Sequence, residues 1–201
     1  MKLIEQSVEL MTKVDTVEAY KFLEEIGRVC YKSEDKITDT SAEPFLRNIL
    51  KRGHESVIEH LNLTFRIITD RGVTHELVRH RIASYSQEST RYVNYGGKSM
   101  EFIMPVGFKG VNDDYLKSLE NAENTYNNLT RDGYFPQEAR AVLPNALKTE
   151  IITTMNLREW RHFLRLRMSP AAHPQMRDIA YKIYEEIKKV LPLVVEDILH
   201  G

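Results

Sequence analysis

A chain of 201 residues with 42% hydrophobic and 28% charged residues has the make-up of a globular protein and the length of a single domain, residues 1–201. Its 28 Lys and Arg against 29 Asp and Glu leave a formal charge of −1, which argues against nucleic acid as the main partner while allowing a local basic cleft. One cysteine excludes an internal disulfide and a multi-cysteine zinc site, and no apolar run is long enough for a membrane span, so with no signal-like core at Met1–Gln6 the expected setting is cytoplasmic.

Residues 2–11 alternate loosely and predict a strand. Asp15-Thr-Val-Glu18 has the form of a capping box, opening a helix on which Val17, Tyr20, Phe22, Leu23, Ile26, Val29 and Cys30 follow helical spacing. A second helix fits Ser41 to Arg52, with Pro44 in its first turn and Gly53 as its stop. Leu61, Leu63, Phe65 and Ile67 alternate with polar residues, so about 57–69 reads as a strand, and a short helix after Gly72 carries Leu77 and Val78. Residues 100–105 predict a strand, Asn112 to Thr130 a long polar helix, and Pro136 to Pro144 a short one. Thr149–Met155 is a β-branched strand. Asn156 caps a helix through Met168, and Pro174 starts a last helix that Pro192 kinks or breaks. Strands and helices mix without regular βαβ spacing, which favours an α+β fold.

Three stretches carry candidate chemistry. On the helix 156–168, Leu157, Trp160, Phe163 and Leu164 form an apolar face with Arg167 in its middle, while Arg158, Arg161, His162 and Arg165 project from the other side. A guanidinium on a packing face must meet an anion or polar group, so Arg167 either closes a structural ion pair or points into a ligand cleft. His54 and His60 flank two carboxylates, but their interval does not match the helical His-Glu-x-x-His pattern, and no metal is expected there. The third stretch, Arg79-His80-Arg81 through Ser89-Thr90-Arg91-Tyr92, is either an exposed basic turn or a loop whose amides, hydroxyls and guanidiniums wrap a phosphate.

Arg79-His80-Arg81, then seven residues, then Ser89 and Arg91-Tyr92, resembles the RHR-x7-S signature of the flavin-dependent thymidylate synthases. Gly53-His54-Glu55-Ser56-Val57-Ile58-Glu59-His60 resembles a second element of that family, and Arg140-x-x-Leu143-Pro144 a third. The resemblance runs from about Gly53 to Arg177. It implies mixed helices around a central, largely antiparallel sheet, and a homotetramer with sites between subunits. It assigns Glu76, Arg79, Gln87, Glu88, Ser89, Thr90, Arg91, Arg140 and Arg167 to deoxyuridine monophosphate (dUMP). To FAD it assigns His54, Ser56, Arg79, His80, Arg81, Asn156, Arg158 and His162, with Glu59 in support. Arg167 would be catalytic, promoting ionisation at N3 of the uracil. NADPH and 5,10-methylenetetrahydrofolate would be co-substrates. The segment Met168–Gln175 departs from the family's usual pattern, which leaves His173 without an assigned role.

Methylating uracil needs an electron-rich C5, which some enzymes create by adding a cysteine thiolate to C6. Cys30 is expected to be a packing residue on the buried face of the first helix, so the chemistry would proceed without a protein thiol. The absence of G-x-G-x-x-G between a strand and a helix argues against a dinucleotide held by a Rossmann turn. Two other readings are a nucleotide- or RNA-binding module using Arg and Tyr, which the net charge disfavours, and a flavoprotein that oxidises NADPH without methyl transfer.

Overall fold

The period-two alternation around Leu63–Ile67 forms the spine of the structure. In the computed structural model, which describes residues 1–108 and 112–198, this segment is a strand, Asn62–Asp70, whose Leu63, Phe65, Ile67 and Thr69 face the interior. It pairs antiparallel with Lys148–Asn156, placing Phe65 opposite Thr153 and Ile67 opposite Ile151. In chain order the strands are β1 (Lys2–Ile4), β2 (Ser7–Leu10), β3 (Asn62–Asp70), β4 (Ser84–Gln87), β5 (Glu101–Ile103) and β6 (Lys148–Asn156). A four-stranded antiparallel sheet has the order β2-β3-β6-β4, and β1 and β5 make a separate parallel pair. The α+β expectation and its antiparallel sheet are met.

The helices are α1 (Thr16–Val29), α2 (Ala42–Lys51), α3 (Arg71–Leu77), α4 (Asp113–Arg131), α5 (Pro136–Ala139), α6 (Leu157–Arg167), α7 (Pro174–Val190) and α8 (Pro192–Val195). None of them, among the described residues, is long and apolar enough to cross a membrane. Asp15, Asp70, Asn112 and Asn156 each cap the helix that follows by accepting from a backbone N–H of its first turn. Pro192 ends α7 and opens α8, as a residue without an N–H can only do at a first turn.

Apolar side chains collect in two clusters. The larger joins the inner face of the four-stranded sheet to α1, α2, α6, α7 and α8 through residues such as Leu23, Leu46, Phe65, Trp160, Phe163 and Ile183. Trp160 stands edge-on to Phe65 at 4.9 Å and donates its indole N–H to the Leu63 carbonyl, so its single polar atom is satisfied where it is buried. The smaller cluster, Met100, Phe102, Leu119, Tyr126, Ala139 and Leu147, packs α4 and α5 beside β5.

Several expectations need correction. The strand predicted over 2–11 is two strands in different sheets. Between them Gln6 turns inward, where its amide bonds Thr69, Gln175 and Asp178 and carries the chain from one sheet to the other. The strand predicted from residue 57 begins later, because Val57–His60 forms a 3-10 turn. Cys30 is exposed rather than buried, as are Val17, Phe22 and Val29. α1 buries Tyr20, Leu23, Glu24 and Gly27, with Ile26 half-buried against the same core, while the other expected apolar positions lie off that stripe. At Gly27 the helices approach closely: a Cβ there would sit 2.6 Å from the Phe45 ring of α2 and would make that ring shift. Finally, β4 was not foreseen. Ser84–Gln87 lies on the edge of the sheet against Ile151–Thr154, so part of the presumed anion loop is strand.

Candidate active site

Arg167 ends α6, where the helix dipole favours a cation, and its guanidinium is mostly buried. Nη1 donates to a Glu76 carboxylate oxygen at 3.0 Å, Nη2 to the Glu76 carbonyl at 3.1 Å, and Nε to His80 Nε2 at 3.1 Å. The ion-pair reading of Arg167 is therefore realised. The cleft reading also survives, because a guanidinium has about five N–H groups and only these three bonds are made among the described residues. Two donors remain for a ligand.

His80 is buried and uses both ring nitrogens. Since Arg167 Nε can only donate, His80 Nε2 must accept, which puts the ring proton on Nδ1, 3.1 Å from a Glu159 oxygen. Burial, reinforced by the Arg167 charge, holds the imidazole below its usual pKa against the pull of Glu159. His80, Glu159 and His162 are close enough to share a metal ion. Ligation through either His80 nitrogen would sacrifice one of its two hydrogen bonds, and moving the proton to Nε2 would set it against the Arg167 N–H. The donor set suits a hydrogen-bonded chain better than a cation.

The turn that delivers Arg79 to Arg81 is pinned from below. Tyr85 of β4 lies 2.8 Å from the Leu77 carbonyl and 2.6 Å from that of His80, and burial pushes its phenol up to about 12. His80 points inward while Arg79 and Arg81 are exposed. Gln87 donates to Thr74 on α3 and to Thr149, tying β4 to the helix that carries Glu76. Glu88 is held by Lys148 at 3.1 Å and by the Tyr95 hydroxyl at 2.6 Å, so both its oxygens are committed within the chain. Ser89 accepts from the Arg91 N–H, Thr90 accepts from Arg140 at 3.3 Å, and Arg91 Nε donates to Gln137 on α5. Of the residues expected at the nucleotide, Ser89, Thr90, Arg91 and Arg140 thus form one group against α5. Glu76 and Arg167 form another, linked to the first through α3 and Gln87. Arg79 touches the second group only through its backbone N–H, which donates to the Glu76 carbonyl at 3.2 Å, and its side chain makes no hydrogen bond among the described residues.

The residues expected at the flavin are also divided. Asn156, Arg158 and His162 line an open groove of about 550 Å³ with Glu55, Glu59, Glu159, Arg165 and Ile82. Arg158 is paired with Glu59, and both Arg158 and Arg165 are about half exposed, able to exchange a carboxylate for a phosphate. Ile82, 67% exposed, offers an apolar surface at the rim. This donor set fits a dinucleotide's diphosphate and a flat ring. His54 lies in a neighbouring hollow, 2.9 Å from the Tyr31 hydroxyl. It is placed there by a Schellman turn in which Gly53, at φ +71°, and His54 donate to the Leu50 and Ile49 carbonyls. Ser56 is exposed beside it in the chain, and His80 lies beneath the surface.

Arg161 corrects the helical-wheel reading. Expected on the outer face of α6, it is 0% exposed, because the segment Val194–Asp197 covers that face. It makes a two-pronged pair with Asp197 at 2.7 and 2.8 Å and bonds Glu55 at 3.1 Å and the Val194 carbonyl. Burial opposes its charge, but the Asp197 and Glu55 bonds more than offset it. Sequence reasoning also passed over Glu159, Lys148 and Tyr95. Asn156-x-x-Glu159 signals a capping box, which points to the helix start but not to the His80 contact.

Comparison with known proteins fixes the family. The family model described as "Thymidylate synthase complementing protein" matches residues 13–193. A flavin-dependent thymidylate synthase of Pyrococcus furiosus is 39% identical over 81% of this chain and 69% of its own length. One from Geobacter sulfurreducens is 37% identical over 85% of this chain and 78% of its own length. A crystal structure of a UMP/dUMP methylase, PolB from Streptomyces cacaoi, bound with 5-Br dUMP, superposes with a TM-score of 0.80 at 25% identity, covering 98% of this chain and 96% of that one. With a family match over nearly its whole length and relatives at this level of identity, the chain belongs to the flavin-dependent thymidylate synthase family.

Proposed function

We propose that this protein makes thymidylate by reductive methylation of dUMP, with FAD as cofactor, 5,10-methylenetetrahydrofolate as carbon donor and NADPH as reductant, and without a cysteine nucleophile. The observation that carries the reading is Arg167, whose guanidinium is fixed by Glu76 and His80 and keeps two N–H groups without a partner among the described residues. A uracil ring placed against those donors would lose its N3 proton more readily, since the anion would be met by a preorganised cation in a partly dry site. C5 would gain electron density with no sulfur on C6. Arg91, Arg140, Ser89 and Thr90 would hold the phosphate, where two guanidiniums and two hydroxyls stand together beside α5. Glu88 would act from behind, keeping Lys148 and Tyr95 in place. That PolB is named as a UMP/dUMP methylase and is bound with 5-Br dUMP supports a pyrimidine nucleotide as the substrate here.

Asn156, Arg158 and His162 would hold FAD along their groove, with Arg79 and Arg81 reaching it from the exposed turn. When bound and reduced, the flavin supplies hydride. His54 and Ser56 would meet a flavin bound mainly by another subunit, which accounts for their separation from the groove. A homotetramer also suits the apolar residues left outside near the site: Ile82, Tyr92 and Phe135 are 67%, 76% and 67% exposed. Cys30 is exposed at the end of α1, outside both groups of nucleotide residues described above.

The test is direct. Purified protein should be yellow and should convert dUMP to thymidylate only when flavin, methylenetetrahydrofolate and NADPH are all present. NADPH oxidation without any thymidylate would replace the proposal with a simple flavin oxidase.

A further inference from the structure

The imidazole of His80 sits between a carboxylate and a guanidinium that belong to the same helix. Glu159 is the third residue of α6 and Arg167 its last, and His80 reaches across from the end of α3 to both. Phe163 covers the ring edge-on at 5.0 Å, and His162 lies 5.7 Å away on the exposed side. Tyr85 of β4 holds the His80 backbone from beneath. Beyond Arg167 stands Glu76, so the groups run Glu159, His80, Arg167, Glu76 without a break. Every bond in that row has one allowed direction, because a guanidinium only donates and a carboxylate only accepts.

We infer that Glu159 and His80 are positioning residues for Arg167: Glu159 holds the His80 proton on Nδ1, leaving Nε2 to accept from Arg167 and fix the plane of the guanidinium toward its ligand. This rests on the assignment of Arg167 to the pyrimidine in the function proposed above. It gives His80 a role distinct from the exposed Arg79 and Arg81 that flank it, since neither of its ring nitrogens is available to a flavin while both bonds stand. The arrangement has a built-in acid limit. Protonating Nε2 would set an N–H against the Arg167 N–H and release the guanidinium. The charges that face the imidazole are Glu159, Arg167 and, when protonated, His162, all from α6, with Glu76 of α3 behind Arg167. Burial and Arg167 hold the proton off, whereas Glu159 attracts it.

The experiment is the pH dependence of thymidylate formation by the flavin-loaded enzyme, together with ¹⁵N-histidine NMR of the same protein. Glu159→Gln keeps an acceptor for Nδ1–H but loses the charge. Its turnover should fall by no more than about 10- to 100-fold, the range for partners that orient an active group, with KM for dUMP little changed and its acid limb moved to lower pH. His80→Gln keeps an acceptor for Arg167 without a titrating ring, so it should retain more activity than His80→Ala and lose that limb. The His80 ring should show a protonated Nδ1 and a bare Nε2. An acid limb in Glu159→Gln that overlies the parent, or a proton resident on Nε2, would overturn the inference. If the parent enzyme makes no thymidylate, the proposed function fails on that result, while the tautomer read from NMR still decides whether Glu159 and His80 hold Arg167.

Discussion

Glu76 receives Arg167 twice, through its carboxylate at 3.0 Å and its backbone carbonyl at 3.1 Å. The side-chain contact neutralises the guanidinium while no substrate is bound, and the carbonyl contact ties it to the last turn of α3. A charge held this way costs little to keep partly buried and needs little rearrangement to meet a second anion.

Arg167→Ala should therefore leave a folded, yellow protein whose thymidylate turnover is about 10²- to 10³-fold lower, the loss seen when one preorganised donor to a developing anion is removed. Absorbance at the flavin bands and a product assay check the two halves separately. Loss of flavin in parallel would move Arg167 into the cofactor site or the fold.

Arg91 makes a different case, for its only side-chain hydrogen bond among the described residues is to Gln137, and it is exposed. Arg91→Ala should weaken dUMP binding by about 10- to 100-fold, as for one charge-assisted hydrogen bond, with flavin content unchanged. Titration calorimetry with dUMP and a flavin absorbance ratio decide it. A loss of both ligands together would merge the phosphate and flavin sites.

What the sequence disclosed, and what it hid, follows from the range of the interactions concerned. The β3 alternation, the Asn156 cap and the Gly53 stop depend on neighbours within one or two turns, and each was readable. The grouping of Thr90 and Arg91 with Arg140 and Gln137 joins segments about fifty residues apart; the motif resemblance suggested the first three, and nothing pointed to Gln137. Arg161 looked solvent-exposed because nothing within α6 shows that Asp197, 36 residues on, will cover it. Cys30 looked buried because an apolar position on a helix was equated with the packed stripe. β4 was missed because Ser84–Gln87 has no hydrophobic alternation of its own, and it is a strand through its pairing with β6.

Cys30→Ala should keep full activity and change stability by less than about 0.5 kcal/mol, as for an exposed position without special contacts. The thiol is accessible, so alkylation of the parent protein offers a second check. An inactive but folded variant would restore a thiol mechanism.

Folding stability should itself depend on pH through His80. Its pKa is lowered from 6.5 in the folded protein, by burial first and by Arg167, whereas in the unfolded chain it titrates near the ordinary value. Between those two values the unfolded chain binds the proton more readily, so stability falls as pH drops below about 6.5 and levels off once the folded form also takes it up. Above that window the contribution of His80 is flat. Urea midpoints measured from about pH 8 to pH 5 should show this decline, and His80→Gln should flatten it. A midpoint for the parent that rises on acidification would reverse the assigned sign.

The last prediction concerns the lock at the far side of α6. Arg161 is fully buried and is compensated by Asp197 and Glu55, whereas Arg165 shares both partners but is 45% exposed. Arg161→Ala removes a packed, fully buried side chain and leaves Glu55, itself only 16% exposed, to Arg165 at 3.2 Å and Arg158 at 3.9 Å, so the loss should stay below the ~3–5 kcal/mol typical of a broken buried pair. Arg165→Ala should cost less than about 1 kcal/mol, because solvent already screens its contacts. Denaturant unfolding of the two variants side by side separates the cases. Since Arg161 also holds the Val194 carbonyl, amide exchange in α8 should quicken in Arg161→Ala and stay unchanged in Arg165→Ala. Equal costs for the two substitutions would mean that burial beneath Val194–Asp197 adds nothing to what Arg161 contributes to stability.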